Sequence, residues 1–156
     1  MTGWHLAQLN LARIRYQLDD PRMAGFVDNL DRINRLGEKS PGFVWRYQDE
    51  SGAAIDTRPF EGEDDLLINL TVWESVDDLR AYVLDSDHVT FLRRRLEWFE
   101  RVEELPGVTL WWIPAGTLPS IDEAIERCHR LRDHGPSERA FTFKDRFGPP
   151  AVSSRE

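Results

Sequence analysis

Cysteine is almost missing from this chain. Cys128 is the only one in 156 residues, which excludes an intrachain disulfide and any zinc site built from several thiolates. Lysine is nearly as scarce: Lys39 and Lys144 are two of 20 cations and the rest are arginine, a pattern that coding bias explains. No apolar run approaches the ~20 residues that cross a bilayer, so no membrane partner is expected. No basic stretch followed by an apolar block opens the chain, and the expectation is a cytoplasmic protein. Positive charge is in deficit, with 20 cations against 28 acids and a net charge of −8. That argues against a nucleic-acid partner, because phosphate attraction needs a positive surface. Familiar chemical motifs are absent too. There is no glycine-rich phosphate loop, no Gly-x-Ser-x-Gly elbow and no His-Glu-x-x-His. The acids from Asp49 to Asp65 lack the glycine and spacing of a calcium loop and read as a solvated loop. Arg93-Arg94-Arg95 is not a nucleic-acid patch, since Glu97, Glu100, Glu103 and Glu104 follow closely.

What is present fits one domain of ordinary size, with 40% hydrophobic and 31% charged residues. Six of its 17 aromatic residues are tryptophan, a side chain suited to cores, interfaces and pocket walls alike. The segment Trp4 to Arg13 alternates, with His5, Ala7, Leu9 and Leu11 on one face and Trp4, Leu6, Gln8 and Asn10 on the other, which predicts a strand. Asp19-Asp20-Pro21 predicts a helix start. Met23, Phe26, Val27, Leu30, Ile33 and Leu36 then form one helical stripe that stops near Gly37. Phe43 to Tyr47 and Leu66 to Trp73 read as strands, the latter nearly continuous in apolar character and so covered on both faces. Ser75-x-x-Asp78 and Ser120-x-x-Glu123 are capping boxes that open helices. Between them a break at Asp85-Ser86-Asp87 precedes a longer helix from about His88 to Val102, and Val108 to Ile113 is the fourth strand. In the last helix, Cys128 lies on the apolar stripe and reads as an inert core thiol.

The order β-α-β-β-α-β with an added C-terminal helix is α+β, the ferredoxin-like split arrangement. One domain over residues 1–144 and a loose tail over 145–156 are expected. A four-stranded sheet with helices on one side leaves its other face in need of cover. The expectation is that a second copy supplies it, as a homodimer with two sheets face to face.

Polar groups break the core pattern in two places. On a continuous helix at about 100° per residue, Arg95 falls in the buried stripe and beneath His88, two turns away. A buried guanidinium needs a carboxylate, carbonyls, water or a ligand. His88 is either hydrogen-bonded structurally, for instance to Asp85, or a general base, a substrate partner or an axial iron ligand. Gln8, Asn10 and Asn69 are amides within strands. They either satisfy one another and the backbone or line a cavity for a small polar ligand. Trp45, Trp73, Trp98 and Trp112 are core or dimer contacts on one reading and ligand walls on the other.

Several segments together look familiar. His5-Leu6-Ala7-Gln8-Leu9-Asn10, Leu18 to Met23, Phe26 to Asn34, Ser40 to Arg46, Asn69 to Ser75, His88 with Arg93-Arg94-Arg95 and Glu97-Trp98-Phe99, and Leu110 to Gly116 resemble the bacterial domain-of-unknown-function family 3291. The likeness runs from about Trp4 to Lys144 and implies a dimeric α/β barrel, akin to antibiotic-biosynthesis monooxygenases. Where such sequences usually carry a histidine after Ala115-Gly116, this chain has Thr117, so no role for a histidine carries over there. Fold alone does not give function.

Three readings follow. The first is a small-molecule-binding, monooxygenase-like oxidative enzyme with His88 as base and Arg95 holding an anionic group. In it Asn10, Asn69, Trp45, Trp73, Trp98 and Trp112 surround the substrate. The second is a haem protein with His88 as the axial ligand and Arg95 on a propionate; the sequence requires no cofactor but permits this one. The third is a non-catalytic dimeric ligand-binding or accessory module, its polar groups satisfied among themselves.

Overall fold

A computed structural model describes residues 3–150, apart from the side chains of residues 86–88. Its elements are β1 (Trp4–Ile14), a single tight helical turn (Pro21–Met23) leading into α1 (Ala24–Glu38), β2 (Phe43–Arg46), β3 (Leu66–Trp73), α2 (Val76–Val83), α3 (Ser86–Arg93), α4 (Arg95–Trp98), β4 (Phe99–Glu100), β5 (Val108–Pro114) and α5 (Ile121–His134). The strands pair antiparallel in the order β2-β3-β1-β5, and the short β4 meets the end of β1 on the edge that β5 also uses. This is the α+β ferredoxin-like order expected from the sequence.

Local chemistry places the helix starts where the sequence puts them. Asp20 accepts from the Arg22 N–H at 2.8 Å, Ser75 from that of Asp78 at 3.0 Å, and Ser120 from that of Glu123 at 3.0 Å, each satisfying a donor that helix geometry leaves free. At the turn into β2, Gly42 has φ +82°, and a Cβ there would lie 2.2 Å from the Asp78 carboxylate. Only glycine fits that corner.

The expected helix from His88 to Val102 is broken. α3 ends at Arg93, α4 is a single turn, and Phe99 leaves it in extended conformation to join the sheet. The reason lies in aromatic burial. Phe99 meets the Phe26 ring edge-on at 4.9 Å, and Trp98 packs 5.0 Å from Phe91, while the Trp98 carbonyl accepts from the Arg15 N–H at 2.8 Å. Burying two aromatic rings outweighs the small intrinsic preference for continuing a helix.

The second face of the sheet also departs from expectation. Ala7, Leu9 and Leu11 of β1, Leu66, Ile68, Leu70 and Val72 of β3, and Trp111 and Ile113 of β5 form one core with Ala124 and Cys128 of α5 and with Phe60 of the β2–β3 loop. Leu9 is 2% exposed and Trp111 0% within the single chain. No open apolar face therefore remains there for two sheets to meet. The added helix carries its own apolar stripe, and the acidic loop is packed as well as solvated. Its Phe60 and Ala53 are buried, and Arg13 ties it down through Asp65 at 2.6 Å, Glu63 at 3.0 Å, and Glu104 just beyond β4.

The C-terminal segment is tied down in part. Phe141 exchanges both backbone hydrogen bonds with Leu110 of β5, Arg146 pairs with Asp77 at 3.1 Å, and the Phe147 carbonyl accepts from Trp112 Nε1 at 2.8 Å.

Candidate functional site

Alternation along β1 and β3 sends one set of side chains toward α1, α2 and α3. In register, Gln8 stands opposite Thr71 and Asn10 opposite Asn69. These two pairs make a polar patch in the middle of a face whose neighbours, Leu6 with Trp73 and Ala12 with Leu67, are apolar. The helices do not close over the patch. A cavity of about 480 Å³ remains between them and the sheet, within the range of sites for small organic molecules. Its walls include Phe26, Leu30 and Ile33 from α1, Leu79 and Tyr82 from α2, and Phe91 and Leu92 from α3.

A short relay orders the floor. Trp73 Nε1 donates to the Thr71 hydroxyl at 2.9 Å, and that hydroxyl donates to the Gln8 side-chain oxygen at 2.7 Å. All three residues are buried. The Trp73 ring stacks on Tyr82 at 5.2 Å and takes the Phe43 edge at 5.4 Å, so the donor at the head of the relay is held on both sides. Burial, and after it the charge of Asp85, pushes the Tyr82 phenol up; it stays neutral at physiological pH.

At the neighbouring position of β2, Arg46 is in register with Thr71. Its side chain is 12% exposed, with Nε donating to Glu38 at 2.8 Å and Nη1 to the Gly52 carbonyl at 3.0 Å. Arg46 and Arg95 both line the cavity, and no carboxylate or imidazole does so among the described residues.

Of the residues expected at a site, Asn10, Asn69, Trp73, Trp98 and Arg95 line this cavity. Trp98 does so from within the core, 1% exposed. Arg95 is not buried as the continuous helix implied. The break at Arg94 separates it from α3; it is exposed, and its Nη1 donates to the Leu92 carbonyl at 3.0 Å. Its neighbour Arg94 lies over the Trp98 ring, 4.7 Å from the centroid, and pairs with Glu97 at 3.1 Å. Trp45 is not a wall of the cavity. A bulge between Phe43 and Trp45 turns it toward the core on the opposite face. Trp112 borders a second, shallower depression with Trp4, Arg127 and Arg130. The His88 side chain lies outside the described residues, so the base and the iron ligand assigned to it stay as expectations.

Thr71 and Arg46 were missed as site residues. For Thr71 the signal was present, since it lies two positions beyond Asn69 and so on the same strand face. Arg46 gave none, because its register with β3 depends on the bulge.

The family model of a domain of unknown function, DUF3291, matches residues 5–156. No curated protein is similar enough in sequence to count as a match. Among solved structures, SnoaB, a cofactor-independent oxygenase from Streptomyces nogalater, is 15% identical, with 74% of this chain and 98% of that one covered and a TM-score of 0.47. A protein of unknown function from Nitrosomonas europaea is 10% identical over 76% of this chain and 97% of that one, with a TM-score of 0.46. A Dabb family protein with a ferredoxin-like fold from Mesorhizobium loti is 13% identical over 76% of this chain and all of the other (100%), with a TM-score of 0.45. With its family model spanning nearly the whole sequence and its strands in ferredoxin-like order, the chain belongs to the DUF3291 family.

Proposed function

We propose that this protein binds a small organic molecule in the cavity between the sheet and α1–α3. The observation that carries the reading is the contrast within one cavity: apolar and aromatic walls over a floor of four in-register polar side chains, Gln8, Thr71, Asn10 and Asn69. Gln8 and Thr71 are buried, Asn10 is half-buried and Asn69 is exposed, so the two asparagine amides are open to whatever fills the cavity. Neither Asn10 nor Asn69 has a side-chain partner among the described residues. The ligand this suits has an apolar, ring-sized body and at least one oxygen for the floor.

The finer proposal is oxidative, monooxygenase-like chemistry on that ligand. The amide N–H groups of the floor could stabilise negative charge as it develops on a ligand oxygen. The described lining offers no carboxylate or imidazole to take a proton, so the base in this proposal is His88, with Arg95 at the rim. Self-association is proposed only as what the family resemblance implies, with no surface assigned to it, and a monomeric mass in analytical centrifugation removes it.

The test is a thermal-shift screen with aromatic and alicyclic compounds, repeated on Ala12→Phe, which places a ring on the cavity floor. Binding to the parent chain and none to the folded variant is the expected result. Equal binding by both removes the cavity from the reading. For the oxidative step, oxygen uptake with a ligand found in this way should vanish in His88→Ala, and full turnover there rejects the assignment.

A further inference from the structure

We propose that the inner end of the cavity selects a ligand carrying an anionic oxygen, with Thr71 setting the polarity of the floor and Arg46 supplying the charge. This rests on the reading that the cavity holds an organic molecule, and it specifies which end of that molecule goes in and with what charge.

The argument counts protons. An indole N–H can only donate, so in its contact with Trp73 the Thr71 hydroxyl is the acceptor. That hydroxyl has one proton to give, and among the described residues the side-chain oxygen of Gln8, 2.7 Å away, is the acceptor it meets. Turning the Gln8 amide over would set its N–H groups against Thr71 and leave the hydroxyl proton buried without a partner, at a cost of about 1–3 kcal/mol. The relay therefore holds the Gln8 oxygen toward Thr71 and leaves its NH₂, which has no protein partner among the described residues, as a donor at the cavity floor.

Register adds the charge. Across the sheet, Arg46, Thr71 and Gln8 occupy one row on β2, β3 and β1, and all three line the cavity. A guanidinium is charged at every physiological pH and can only donate. Glu38 takes the Arg46 Nε and the Gly52 carbonyl takes Nη1, which leaves Nη2 without a partner among the described residues. Arg95 stands at the rim. A chain of net charge −8 has thus gathered two cations, Arg95 and the Glu38-paired Arg46, and no carboxylate in the described lining of this apolar cavity. Such a cleft concentrates anions and repels ammonium groups. A ligand donor would meet donors here, whereas a carboxylate or phenolate oxygen would meet the Gln8 NH₂, the amides of Asn10 and Asn69, and a cation.

Binding of four naphthalene probes at neutral pH, followed by tryptophan fluorescence or calorimetry, tests this. The probes are 2-naphthoate, 1-nitro-2-naphtholate, uncharged 2-methylnaphthalene and cationic 2-(aminomethyl)naphthalene. At least one anion should bind about tenfold more tightly than 2-methylnaphthalene, the size of one charge-assisted hydrogen bond. Which of the two anions gains tells a carboxylate from a phenolate. The ammonium probe should be the weakest. In Thr71→Val the ratio of anion to 2-methylnaphthalene affinity should shrink to about threefold or less, and Thr71→Ser should restore it. Arg46→Met should lose the preference as well, and Thr71→Val keeps the test open if that variant does not fold. If 2-methylnaphthalene binds as tightly as both anions, or the ammonium probe binds best, the inference is overturned and the binding cavity survives. If no probe binds, both fall.

Discussion

The two faces of one sheet have been put to opposite uses. On the side of α5 and the β2–β3 loop, β1, β3 and β5 present Ala7, Leu9, Leu70, Val72 and Trp111, all at most 2% exposed. On the side of α1–α3, the next residue along each of the two central strands is Gln8, Asn10, Asn69 or Thr71, and the space above them is open. Backbone, twist and hydrogen bonding are common to both faces, so the difference lies in the side chains each presents and in how closely the covering segments pack on them. One face is packed for stability, and the other gives up packing to keep a cavity with a polar floor.

Substitutions on the two faces should therefore behave differently. Trp111→Ala, on the closed face, should cost about 3–5 kcal/mol in denaturant unfolding; a loss below about 1 kcal/mol would show that this face is not the stabilising one. Ser120→Ala removes the cap of α5, which covers the same face, and should cost about 1 kcal/mol. On the open face, Asn69→Leu should leave unfolding stability unchanged or raise it by up to about 1 kcal/mol, while ligand binding is lost. A large destabilisation there would mean that the amide is structural. The smallest effect concerns the loop over the closed face. Burial would raise the Asp49 carboxyl, but hydrogen bonds from Ser51, Thr57 and the Asp56 N–H outweigh it and hold the group below its ordinary value of 3.8. With the folded value depressed, the loop stabilisation from this group is complete above the ordinary value and lost as pH falls through the lowered one. Amide exchange of Asp56 should quicken, relative to its intrinsic rate, only in that acid window. Acceleration already near neutrality would contradict the assignment.

Much of the fold could be read without coordinates. Period-two alternation in β1 sorted Ala7 and Leu9 from Gln8 and Asn10 correctly, and serine and aspartate caps marked three helix starts. The floor was half legible for the same reason: Asn10 and Asn69 are polar residues in apolar strands, whatever the strands pair with. Arg46 was not, since its place beside Thr71 needs the β2 bulge. Arg95 was misplaced because a helical wheel assumes continuity, and the pull of Trp98 and Phe99 into the aromatic cluster breaks the helix at Arg94. For Trp45 the sequence left core contact and ligand wall open, and the bulge, which shifts the alternation, puts it against the core of the other face.

By itself the sequence determined the order of elements, the caps, and which strand residues share a face, because these depend on neighbours along the chain and on fixed backbone periods. Only the tertiary structure decided that α5 and the acidic loop close the second face, that the helices stop short of the polar patch, and that Arg46, Thr71 and Gln8 stand in one row. Those facts depend on contacts between segments tens of residues apart, where burial energy and strand register outweigh local preference.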